Sequence, residues 1–143
     1  MPIEHFMQNY KLAWETSDEH LLASLFAPDG CYHNTPFAVQ RGHNQIKQYW
    51  QRTKLQRDIT VTFEILQASA SASSGIAHWH TTYQVTSDEM FAIWAASTGT
   101  NQIARKPGEP LPRLVLDGMA LIELDASGLC REFRIWWHST VDV

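Results

Sequence analysis

Three groups of side chains in this 143-residue sequence have the types and spacing that acid–base or metal chemistry needs. His78-Trp79-His80 sets two imidazoles on one face of any strand that carries them, a spacing that can chelate a metal. The residues that would complete such a site are out of place, with Gly75 too near and Glu89 too far. Ala77, Trp79, Thr81 and Tyr83 form the more core-like face of this strand, so both histidines are expected to point outward and no metal is expected. His33 is a candidate general base at a pocket mouth, histidine being the side chain type that exchanges protons near neutral pH, although alternation turns it outward and Asn34 inward. Asp117 has three readings: a pocket acid, an anchor for a backbone N–H, or a solvent-facing carboxylate. Strand parity opposes the first, unless Gly118 hosts a bulge that turns Asp117 inward. A carboxylate buried among aromatics would have a raised pKa and serve as acid or base. Asp117 and His33 are therefore the candidate catalytic residues.

A second set suits binding. Tyr10 and Trp14 lie four residues apart on one helical face, and a tyrosine hydroxyl in an apolar cavity needs a partner that a ligand carbonyl can supply. On the last strand Phe133, Ile135 and Trp137 share one face, while Glu132, Arg134, Trp136 and His138 share the other. Tyr10, Trp14, Asn34, Trp79, Phe133 and Trp137 make up the predicted ligand-binding set. The cavity they enclose is expected to reach roughly 300 Å³, the lower end for ligand sites. Trp136, Arg134 and His138 on the opposite face combine an aromatic anchor with charges, which predicts a homodimer through the outer sheet face.

The elements that position these residues can be read from hydrophobic periodicity. Phe6, Tyr10, Ala13 and Trp14 predict a first helix. Ser17 or Asp18 caps a second, carrying Leu21, Leu22, Leu25 and Phe26 and ended by Pro28-Asp29-Gly30. A short strand is expected over 31–35, then a third helix with Ile46, Tyr49 and Trp50 on one side. Alternation over 59–66 and 76–85 predicts one hairpin, and 114–124 with 129–139 a second across Asp125-Ala126-Ser127-Gly128. Between them, 86–112 reads as an inserted segment in which Ser87 and Gly99 bracket a short helix, although Phe91, Ile93 and Trp94 also suit a strand. It is either a lid or a dimerisation arm.

Composition narrows the class. The chain is 44% hydrophobic and 18% charged, the balance of a globular protein with one core. A net charge of -4 without any basic cluster argues against nucleic acid. Cys31 and Cys130 form neither a disulfide framework nor a metal motif. No apolar run approaches the ~20 residues that span a bilayer, and Met1-Pro2-Ile3-Glu4-His5 does not resemble a signal peptide. A cytoplasmic protein without membrane association is the expectation.

Leu25-Phe26-Ala27-Pro28-Asp29-Gly30 leads into Tyr32-His33-Asn34-Thr35-Pro36, followed by Arg41-Gly42 and by Ile46 with Tyr49-Trp50. With Leu116-Asp117-Gly118 and the closing Phe133-Arg134-Ile135-Trp136-Trp137-His138, this order resembles the nuclear transport factor two-like superfamily, in its SnoaL-like branch. The resemblance implies an α+β fold, a cone-shaped curved antiparallel sheet wrapped by three N-terminal helices, over a single domain spanning 1–143. It also implies a pocket between sheet and helices, with the opposite sheet face used in dimers. The family's chemistries transfer poorly. The isomerase tyrosine matches Tyr10, but its base falls on Asn34 or Thr35 and its second acid on Ala120. The cyclase carboxylate also falls on Ala120. The aspartate of the epoxide hydrolases falls on Ile135, with His78 and His80 where their Arg–Asp pair would be. The expectation is a pocket for a small apolar or aromatic molecule, with proton-transfer chemistry of the isomerase, cyclase or dehydratase type and no cofactor. The alternative is a non-catalytic ligand-binding or dimeric interaction module.

Overall fold

The computed structural model describes residues 2–98, 105–106 and 108–142. Four α-helices and six strands follow the order α1 (Pro2–Glu15), α2 (Glu19–Ser24), β1 (Phe26–Thr35), β2 (Ala38–Arg41), α3 (Gly42–Trp50), β3 (Gln56–Ala68), β4 (Ser74–Val85), α4 (Asp88–Ser97), β5 (Arg113–Leu124) and β6 (Cys130–Asp142), among the described residues. A 3-10 turn, Gln51–Leu55, joins α3 to β3. The strands form one open sheet in the order β2-β1-β6-β5-β4-β3, with β1 parallel to β6 and every other pair antiparallel.

α1 buries the predicted stripe, Phe6, Tyr10, Ala13 and Trp14, together with Ile3 and Met7. Its last turn is tied to the sheet edge, where Glu15 accepts from the Val61 N–H at 2.9 Å and from Lys11 at 2.7 Å. Burial alone would raise the Glu15 carboxyl, but these two donors outweigh it and hold it below its ordinary value. Asp18, one of the two predicted caps, accepts from the N–H groups of His20 and Leu21 at 3.1 and 2.9 Å.

The second helix ends sooner than its apolar spacing suggests. It stops at Ser24, and Phe26 is already in a strand, because the Leu25 carbonyl accepts from Cys130 N–H at 2.8 Å and Phe26 pairs with Cys130. Pro28 and Asp29 sit exposed within β1, where the register with β6 shifts between Phe26 and Cys31. An irregular stretch of this kind accommodates a proline that a regular ladder would reject. The turn-and-strand return through β2 was not foreseen.

Both long hairpins form as predicted, and the second turns through Gly128 at a φ of +87°, a conformation that costs glycine little. Alternation holds along β4 without a break, with Ala77, Trp79, Thr81, Tyr83 and Val85 buried. Ser87 caps α4 by accepting from Met90 N–H at 3.1 Å, so the ambiguous stretch is helical. Gly99, the predicted stop, lies outside the described residues.

Candidate functional site

The helices and the inner sheet face enclose an aromatic cavity of about 50 Å³. α1 supplies Tyr10 and Trp14, β1 Tyr32, and α3 with its 3-10 extension Tyr49, Trp50 and Arg52. Trp79 and Tyr83 come from β4, and Ile135 and Trp137 from β6. α4 lies across the mouth with Met90, Ile93, Trp94 and Ser97. The volume is far below the predicted 300 Å³. Five aromatics absent from the predicted set, Tyr32, Tyr49, Trp50, Tyr83 and Trp94, occupy the space that was assigned to a ligand. Tyr83 and Tyr32 were readable by strand parity, since they share faces with Trp79 and Asn34. Trp94 was not, because its segment could not be assigned to helix or strand.

Much of the polarity in the cavity is satisfied internally. The Tyr10 and Tyr32 hydroxyls bond each other at 2.8 Å, so Tyr10 already has the partner that a ligand was expected to provide. Trp14 Nε1 donates to Gln56 Oε1 at 2.8 Å, Trp94 Nε1 to Ser139 Oγ at 2.8 Å, and Trp137 Nε1 to the Asn34 carbonyl at 2.9 Å. Trp79 Nε1 and Thr81 Oγ1 are buried without a partner among the described residues. Burial pushes the hydroxyls of Tyr10, Tyr32, Tyr49 and Tyr83 above the ordinary phenol value, so all four stay protonated at neutral pH. Arg52 donates through Nε to the Tyr49 carbonyl at 3.1 Å, and its guanidinium carbon lies 4.0 Å from the centre of the Tyr49 ring.

Of the predicted ligand-binding residues, Tyr10, Trp14, Trp79 and Trp137 meet at this cavity, and Asn34 and Phe133 do not. Phe133 lies fully buried behind it, packed on Tyr10 and Tyr32 at ring separations of 5.0 Å each. Asn34 accepts from Gln40 Nε2 at 3.2 Å and faces a broad open depression at the end of the sheet instead.

Neither predicted proton carrier reaches the cavity. Asp117 lies on the outer face with its side chain 54% exposed, between His78 (2.8 Å) and His80 (3.2 Å). Partial burial would raise its carboxyl, but bonds from both imidazoles outweigh that effect and hold it below the usual carboxylate range. β5 runs in continuous register past Gly118, so no bulge turns Asp117 inward. Gly118 has another task. A Cβ there would stand 2.5 Å from Trp79 Cζ2, so the missing side chain is the room in which the Trp79 indole lies. His33 is also on the outer face, bonded to Glu132 Oε2 at 2.7 Å. Among the described residues the cavity lining contains no Asp, Glu, His, Lys or Cys.

Trp136 stands 48% exposed on the outer face, opposite Met119 in register and next to Arg134 and His138 on its own strand. The described part of the inserted segment does not cover it, because α4 turns its buried residues, Met90 and Trp94, into the cavity mouth. No helix among the described residues is long and apolar enough to cross a membrane.

Solved structures with this architecture come from several sources. The epoxide hydrolase/cyclase-like enzyme SalBIII, which acts in pyran ring formation in salinomycin, is 12% identical at a TM-score of 0.70, over 98% of this chain and 95% of its own. An LEH-like epoxide hydrolase from M. tuberculosis is 13% identical at a TM-score of 0.60, over 95% and 82%. A cystatin-like protein of unknown function from Methylobium petroleophilum PM1 is 21% identical at a TM-score of 0.61, over 95% and 75%. At these identities the likeness establishes the fold and says nothing of the reaction. No curated protein matches the sequence. The SnoaL-like domain family matches residues 4–133, which is nearly the whole chain, and the protein belongs to that family.

Proposed function

We propose that this SnoaL-like domain binds one small, largely aromatic or apolar molecule in the cavity beneath α4, and that it does so without abstracting a proton from it. The observation that carries this reading is the composition of the lining: aromatic walls with polar tips, and no side chain that takes up a proton at neutral pH. Asp117 and His33, the expected carriers, face away from it.

Binding requires α4 to move. At about 50 Å³ the cavity is too small for an aromatic ring, and Trp94 is the largest side chain that α4 places in it. The helix is held by its Ser87 cap, the apolar contacts of Met90 and Trp94, and the Trp94–Ser139 bond. A binding-competent state of low population weakens the apparent affinity by that population. Trp94→Ala should therefore bind acetophenone or 1-naphthol more tightly than the wild type, even though the variant is less stable. In the wild type, saturating either ligand at about 100 times its Kd should raise Tm by roughly 5–10 °C. Isothermal titration that finds no saturable binding of either compound, in wild type and Trp94→Ala alike, would sink the reading.

We propose as well that two copies pair through the outer sheet face around Trp136. An indole left half exposed beside Met119 forfeits burial that a second copy would recover, and the flanking Arg134 and Glu132 provide a charged rim. Two-fold pairing brings the same patch together from each subunit. Sedimentation at micromolar concentration should give twice the monomer mass for the wild type and a shift toward monomer for Trp136→Ala. A wild type that stays monomeric throughout that range rules the interface out.

A further inference from the structure

Resting on the cavity reading above, we infer that the ligand is an organic anion, an aromatic carboxylate in its simplest form, whose charged group is held by Arg52 at the cavity mouth. The cavity's unsatisfied groups are all able to donate. Trp79 Nε1 is buried with no acceptor. The Tyr49 and Tyr83 hydroxyls have no hydrogen-bond partner among the described residues, and each sits in the lining. Gln56 Oε1 already accepts from Trp14, and the Tyr10 and Tyr32 hydroxyls bond each other. An indole N–H that can only donate, beside two hydroxyls that can donate as well as accept, suits a ligand that carries acceptors.

Arg52 adds the charge. It is the one permanent cation among the described residues of the lining, and it lines both the cavity and the open depression outside it, so it stands where the two meet. Only its Nε is committed, to the Tyr49 carbonyl. No carboxylate lies within salt-bridge distance of it among the described residues, whereas Lys11, Lys54 and Arg134 all have acidic partners. The guanidinium lies over the Tyr49 ring with its Nε bonded to the Tyr49 carbonyl, which leaves the two outer nitrogens as a fork able to grip a carboxylate through two parallel hydrogen bonds. The whole chain is acidic, at -4, so the preference for an anion is a property of this site and not of the overall field.

The test compares phenylacetate with its neutral isostere phenylacetamide and its cationic counterpart phenethylamine, by isothermal titration against the full chain. Phenylacetate should bind about tenfold or more tightly than the amide, the scale of a hydrogen bond to a charged group. Arg52→Gln should bring acid and amide level, and Arg52→Lys should retain part of the preference. The acid-to-amide ratio of the wild type should also fall as salt is raised, a readout that needs no folded variant. Equal binding of acid and amide by the wild type overturns the anion inference and leaves the pocket reading standing, as does tightest binding of the amine. A preference for acid that survives in Arg52→Gln removes Arg52 from the role. Binding of none of the three, in wild type or in Trp94→Ala, takes down the pocket reading and this inference together.

Discussion

Phe133→Ala should lower the stability of the fold by about 4 kcal/mol, the largest loss expected from any single truncation in this core. Phe133 is fully buried on β6, with ring centres 5.0 Å from Tyr10 and Tyr32, 5.4 Å from Phe6 and 6.2 Å from Phe26. These neighbours come from α1 and β1, so one ring ties the N-terminal helix to the parallel pair at the middle of the sheet. Truncation loses the transfer energy of the ring and also opens a void that stiff aromatic neighbours cannot close. The Tyr10–Tyr32 hydroxyl pair would lose the packing that aligns it, adding the cost of loosened buried polar groups. For a domain of ordinary stability, roughly 5–15 kcal/mol, this is a large share. Urea denaturation should show a midpoint far below that of the wild type with an unchanged slope. A loss below about 1 kcal/mol would mean that this aromatic cluster is not the centre of the core. Phe133→Leu, which keeps most of the volume, should cost much less.

Gly118→Ala, a change of one methyl group, should cost about 3 kcal/mol. The added Cβ would lie 2.5 and 2.7 Å from Trp79 Cζ2 and Cε2, and 2.7 Å from the Trp136 carbonyl oxygen. The indole is 1% exposed and packs on Trp14 at a ring separation of 5.7 Å, and the cavity of about 50 Å³ that it borders is too small to take the whole ring. The carbonyl belongs to the β5–β6 ladder and moves only if the ladder does. Overpacking against both puts the cost at the upper end of its usual range of about 1–3 kcal/mol. Two measurements separate this account from a general dislike of substitution in a strand. The near-ultraviolet circular dichroism of the tryptophans should change, because Trp79 is displaced. In a double-mutant cycle, Trp79→Phe should recover about 1 kcal/mol or more of the Gly118→Ala loss, since the smaller ring vacates the contested space. Strictly additive losses would show that the clash with the indole is not the cause.

Both predictions turn on residues whose importance is unevenly visible in the sequence. Phe133 reads as core from alternation alone, although it was expected in the pocket lining and lies behind it. For Gly118 the sequence offers only the option of a bulge that would turn Asp117 inward against strand parity. What it accommodates is an indole from the neighbouring strand, on the face away from Asp117. Nothing near Gly118 in the sequence announces Trp79, because the contact joins residues that pair across β4 and β5 and are far apart along the chain.

The sequence by itself determined the α+β class, the helix-then-sheet order, the two long hairpins and the inward and outward face of nearly every strand residue. These follow from local periodicity, which every stretch of chain carries within itself. The family could be read for the same reason, since its motifs mark helix ends, turns and the closing strand. Tertiary structure alone decided what the inward faces add up to. Whether Tyr10 awaits a ligand or bonds Tyr32, whether 86–112 covers Trp136 or sends α4 over the cavity, and whether a cavity lined by nine Tyr and Trp residues is roomy or nearly full all depend on distances between elements. Such distances are set by the sum of side-chain volumes packed between helices and sheet, and no single segment encodes that sum. The same holds for Arg52. Its place above the Tyr49 ring, at the meeting of cavity and depression and without an acidic partner, is a property of the folded surface that spacing along the chain does not reveal.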